Sequence, residues 1–169
     1  EDIYASATPS EEVSSLRTST AEIETFLVDN AASKDVAVGG YDAYEVSFTL
    51  KPQFEGKTKV TLCNACGEKF SLEFDTENMT VLADRSESGK MTRIKSFVLM
   101  PAAPLGLCNS SDGYDVDVFV DKCSVEVFVD GGRIAMTNLV FPSESFDNIV
   151  FESTGESEIS NMFIHKIGK

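Results

Sequence analysis

An all-β fold, two antiparallel sheets packed as a concanavalin A-like or jelly-roll sandwich, is predicted from three features of the sequence. Its dominant hydrophobic period is two, its periodic runs are separated by turn-forming residues, and it carries no sustained period of 3.6. The segment 44–50, Tyr-Glu-Val-Ser-Phe-Thr-Leu, alternates apolar and polar without a fault, as a half-buried strand requires. Similar runs cover 22–28, 59–63, 69–75, 79–85, 93–100, 114–122, 124–130, 133–141, 148–153 and 158–167. That makes about eleven strands of ordinary length.

Turn chemistry supports each break. Asp130-Gly131-Gly132 between two apolar runs is a tight-hairpin signal. Asn64 to Gly67 and Asp75 to Asn78 supply residues that tolerate positive φ. Pro101 and Pro104 open a longer connection that lasts to Gly113. Only 10–17 reads as helical, a turn or two capped by Ser10. Residues 1–20 are therefore expected to be a linker with a short helical lead-in, and 21–169 the sandwich.

A chain of 169 residues is long enough to bury one self-sufficient core. Fourteen Lys and Arg against 28 Asp and Glu leave a net charge of −14, and no basic stripe overrides it. Such a chain repels phosphate backbones and anionic lipid, so nucleic acid is excluded as a natural partner. No apolar run is long enough to span a membrane. Cys63-x-x-Cys66 lacks the second close pair that a structural zinc site uses, and Cys108 and Cys123 lie too far apart to supply one. No metal and no cofactor are expected.

Two strands break the simple inside–outside rule. Phe119 shares a face with Asp115 and Asp117, and Phe128 shares one with Glu126. Two aromatics on a nominally wet face predict contact with another domain or subunit. Asp115, Asp117, Asp121, Glu126 and Asp130 cluster on this strand pair, where a solvated acidic face is the expected role. Glu126 within Val-Glu-Val-Phe requires a partner, and Arg85 is the candidate, pairing with Glu126 or with Asp84. The functional alternative for Asp84, Arg85 and Glu126 is a ligand-contacting trio at a domain interface. His165, the only histidine, is expected at the surface or an edge.

Three stretches resemble glycoside hydrolase family 32, the family of invertases, levanases, inulinases and related fructosidases. Pro9-Ser-Glu-Glu-Val-Ser-Ser-Leu-Arg17 is similar to the family's "P-x-E-E-L-x-x-L-R" lead into its C-terminal domain. Ala83-Asp-Arg-Ser-Glu-Ser-Gly89 is similar to "V-D-R-S-x-S-G". Asp121-Lys-Cys-Ser-Val-Glu-Val-Phe-Val-Asp-Gly-Gly132, followed by Phe141-Pro142, is similar to "D-x-S-S-V-E-V-F-x-N-D-G … F-P". Ala83 and Cys123 depart from the expected Val and Ser.

The resemblance implies a non-catalytic C-terminal module whose partner is an N-terminal five-bladed β-propeller of the same polypeptide. It also implies a retaining glycosidase acting on fructan or sucrose, exported like most of the family, with a cytoplasmic location, as in some members, the alternative. The family's "W-M-N-D-P-N-G", "R-D-P" and "E-C" carboxylate motifs are absent, and the chain has no Trp. No catalytic residue is therefore assigned, because a retaining mechanism needs a nucleophile and an acid/base carboxylate facing one sugar. A homodimer is a further expected assembly. The second reading is an independent carbohydrate-binding module, with Tyr41 and Tyr114, both beside turns, as its candidate platforms.

Overall fold

The computed structural model describes residues 5–90, 97, 102–108 and 111–168. Thirteen strands are present among them, rather than eleven, and all their pairings are antiparallel. They are β1 (Arg17–Ile23), β2 (Phe26–Asp29), β3 (Lys34–Ala37), β4 (Tyr44–Pro52), β5 (Lys57–Cys63), β6 (Lys69–Asp75) and β7 (Thr80–Glu87). Then follow β8 (Ala103–Pro104), β9 (Tyr114–Asp121), β10 (Ser124–Val129), β11 (Ile134–Leu139), β12 (Asn148–Ser153) and β13 (Glu156–Ile167). The run 93–100 lies largely outside the described residues.

The first sheet is ordered β1-β13-β4-β9-β10-β11, with β2 also pairing with β13. The second is ordered β3-β12-β5-β6-β7-β8. Alternation builds the space between them. Tyr44, Val46, Phe48 and Leu50 of β4 face Phe70, Leu72, Phe74 and Phe151 of the other sheet through one continuous buried cluster. Phe48 meets Phe151 edge-on at 5.5 Å, and Tyr114 stacks on Phe74 at 6.2 Å.

The boundary drawn at residue 20 falls inside β1, where Arg17 to Thr20 already pair with β13. Ahead of it, a six-residue 3₁₀ helix, Glu11–Leu16, forms where the helical lead-in is predicted. The predicted run 22–28 is two strands, parted at Glu24-Thr25. Asp130 and Gly131, φ 49° and 62°, form the positive-φ pair of the β10–β11 turn, which Gly132 N–H closes on Val129 O at 3.1 Å.

Two of the motif stretches meet in space. Ser88 is fully buried, and its hydroxyl and N–H both donate to Arg85 O. The Phe141 N–H donates to Ser88 O, while Lys90 N–H donates to Phe141 O. Between them Gly89, φ +123°, lies so close that a Cβ would overlap the Phe141 carbonyl. The Ser-x-Ser-Gly loop and the Phe-Pro anchor thus form one backbone lock joining the two sheets' edges.

Candidate functional site

The outer face of the first sheet concentrates the chain's unusual side chains. Cross-strand register places Thr20, His165, Glu45, Phe119, Glu126 and Thr137 in one row across β1, β13, β4, β9, β10 and β11. The next row runs through Glu22, Phe163, Ser47, Asp117, Phe128 and Ala135. Phe119 and Phe128 are half-buried neighbours, edge to face at 5.9 Å.

The N-terminal segment crosses this face as a strap. Ala7 N–H donates to Gly132 O at 3.1 Å, and Gly132, φ +80°, leaves no room for a Cβ beside the Ala7 carbonyl. Pro9 and Val13 then form one wall of a groove whose other wall is Phe119, Glu126, Phe128 and Ala43. The groove encloses about 360 Å³. At the far end Gly168 N–H donates to Leu16 O, and Arg17 reaches into the sheet. Its Nε and Nη2 donate to the two Glu45 carboxylate oxygens at 2.8 and 2.6 Å. Glu45 is only 2 % exposed, so this bidentate fork holds a carboxylate that water scarcely reaches. The hydrogen bond from Arg17 to Glu45 raises the Arg17 pKa further.

The sequence-predicted residues fall out as follows. Arg85 and Glu126 are carried by different sheets, and no ion pair joins Arg85 to Asp84 or Glu126 among the described residues. Arg85 is engaged elsewhere: Nη1 donates to Leu139 O at 3.4 Å, and the guanidinium lies 4.2 Å from the Phe97 ring centre. Asp84 accepts from Ser86 N–H at 2.8 Å, closing the turn before Ser88. Tyr114 is 2 % exposed and belongs to the core, which corrects its reading as a platform. Tyr41 is half-buried, with Lys166 Nζ 5.3 Å from its ring centre.

His165 is buried within β13 and not at an edge, stacked on Phe163 and bonded through Nδ1 to Thr20 Oγ1 at 2.8 Å. Burial lowers its pKa, and the neighbouring Arg17 adds to the shift. The four cysteines are free thiols, and burial pushes Cys108 up to about 11.

Within the acidic cluster the roles diverge. Asp115 accepts from Thr49 Oγ1, and Asp130 accepts from the Asp115 N–H. Asp117 is half-buried, and its pKa is raised by burial, then by Glu45 and Asp115, against the opposing pull of Arg17. A raised native pKa means that the folded state keeps the proton to higher pH than the unfolded chain, so ionised Asp117 opposes folding at neutral pH. Asp117→Asn is therefore expected to raise Tm at pH 7. The gain should fade as pH drops through the ordinary Asp value near 3.9, below which the carboxyl is increasingly protonated in both states. Thermal melts of both proteins from pH 7 to pH 3.5 read this directly; a gain independent of pH would assign the effect to packing.

These features define an all-β sandwich domain whose buried charges fasten its own N-terminal strap. The chain belongs to the family described as glycosyl hydrolases family 32 C terminal, whose model matches residues 12–166. It is 25 % identical over its whole length to a levanase from Bacillus subtilis and spans 25 % of that protein. Over 60 % of the chain it is 31 % identical to a fructan β-fructosidase from Streptococcus mutans, of which it spans 7 %. Among solved structures, the exo-inulinase from Aspergillus awamori superposes over 98 % of the chain, with a TM-score of 0.74 and 24 % identity. A sucrose-6-phosphate hydrolase from Lactobacillus gasseri gives 0.72 over 96 % at 19 % identity. The chain covers about a third of each of those two structures.

Proposed function

We propose that this chain is the non-catalytic C-terminal module of a fructan- or sucrose-hydrolysing glycosidase, and that its strapped outer face packs against the catalytic β-propeller of the same polypeptide. The observation that carries this reading is the aromatic groove. Phe119 and Phe128 lie half-buried on the outer face of a sheet, and the strap covers only one side of them. An apolar surface next to the segment that leads upstream is suited to an adjoining domain. The carboxylates of the same face support a structural role, since Glu45 is held by Arg17, and Asp115 and Asp130 bond to the strands beside them.

The test uses the purified chain and the separately expressed upstream catalytic portion. The chain alone is expected to release no fructose from sucrose, inulin or levan. Added in excess, it should raise the Tm of the catalytic portion by about 5 °C, because a partner that binds only the native state stabilises it. Phe119→Ser with Phe128→Ser should remove that rise, and a cooperative thermal melt of the double variant should show that the chain still folds. Fructose release by the chain alone, or an undiminished rise with the double variant, contradicts the reading.

A further inference from the structure

We infer that the loop joining β4 to β5 carries a binding subsite for a neutral sugar, with Phe54 as its stacking platform. Phe54 is 68 % exposed, more than any other large hydrophobic side chain among the described residues. It does not project from a loose loop. Gln53 N–H and Phe54 N–H both donate to Glu156 O, at 2.8 and 3.4 Å. Two residues on, Gly56 N–H donates to Thr76 Oγ1, and Thr76 N–H and Oγ1 both return to Gly56 O, each at 3.0 Å. An aromatic ring held out to water by a fixed backbone is pre-organised, so a ligand that covers it has little loop ordering to overcome.

The surroundings fit a sugar. Phe54 borders a depression of about 270 Å³, smaller than the pockets that enclose drug-sized ligands. Pro52 and Met79 extend its apolar side, and buried Tyr114 lies beneath it. Met79 is itself 40 % exposed, in a left-handed conformation with φ 51°, its carbonyl pinned by Leu105 N–H at 2.9 Å. Gln53 and Glu55 supply a polar rim. A sugar ring has one face of C–H groups that suits the electron-rich face of an aromatic ring, and hydroxyls at its edge for amide and carboxylate partners.

Glu55 and the chain's charge of −14 repel an anionic ligand, so charged sugars such as uronic or sulfated glycans are disfavoured against neutral ones. A protein partner is a poorer fit, because a stable interface needs about 800 Å² from each side and this patch rests on two exposed apolar side chains. The subsite does not depend on docking to the propeller. Only the choice of fructan as first probe rests on the family reading.

Affinity electrophoresis of the 169-residue chain in native gels holding levan or dextran tests it. The chain is expected to be retarded by levan, and Phe54→Ala to migrate at its sugar-free rate, at least tenfold weaker in apparent affinity. Tyr41→Ala should be retarded like the parent, and unchanged thermal melts should show that both variants fold. Retardation by dextran as well, lost in Phe54→Ala, supports the same site and widens it to neutral glycans in general. A parent chain that neither polysaccharide retards, or a Phe54→Ala variant retarded as strongly as the parent, overturns the assignment. Either outcome leaves the propeller-docking test untouched, since that test reads Phe119 and Phe128 on another face.

Discussion

Gly89→Ala is expected to cost about 4 kcal/mol and to lower Tm by roughly 8–16 °C. Two effects act together at this position. Its φ of +123° is one that L side chains rarely adopt, and the Phe141 carbonyl and the Pro142 nitrogen occupy the space a Cβ needs. Both obstacles are backbone, so no side-chain rotation relieves the overlap. Gly67→Ala is the control, because Gly67 also has positive φ (+77°) but nothing within 4 Å. It should cost about 1–2 kcal/mol, the ordinary penalty of a left-handed alanine. Equal losses at the two positions would mean that the approach of residues 88–90 to the Phe-Pro segment is not what the glycine secures.

Arg17→Met is expected to destabilise by about 3 kcal/mol, the low end for breaking a buried ion pair, since Arg17 is itself about a third exposed. The loss arises mainly at Glu45, left charged and 2 % exposed without its fork of donors. Adding Glu45→Gln should restore most of it, because a neutral amide of similar shape requires far less solvation. A chemical-denaturation double-mutant cycle reads the coupling between the two positions. If the double variant is no more stable than Arg17→Met, the role of Arg17 is packing of its stem and not compensation of the buried carboxylate.

The sandwich was legible because alternation is a local property and most of these strands are long enough to display it. Tyr44 to Leu50 announces its faces residue by residue. The strands that escaped are the short ones: β3 has four residues and β8 two, too few for any period to show. The split between β1 and β2 also escaped, because neither Glu24 nor Thr25 is a turn signal.

The outer face was legible only in part, for a physical reason. Alternation says which residues share a face, but not whether that face is wet. Phe119 and Phe128 betrayed a covered surface by being aromatic. Glu45 is one of the polar positions in the alternation of 44–50, and His165 was expected at the surface or an edge, yet both are buried on that face. What buries Glu45 includes Arg17, 28 residues away, at the end of a motif recognised as a string with no role attached. The rule applied to Glu126, that a charge inside an apolar strand requires a partner, held two strands away at Glu45. Arg85 instead serves the β7–β11 edge through Leu139 and Phe97.

The proposed role as one part of a larger hydrolase predicts the size of the protein in its source. Immunoblotting an extract of the source organism with an antibody against the domain tests it most directly. The chain spans a quarter of the levanase it resembles, so a band roughly four times its 18.4 kDa is expected, accompanied by fructan-hydrolysing activity in the same immunoprecipitate. A single band at 18.4 kDa would contradict the account.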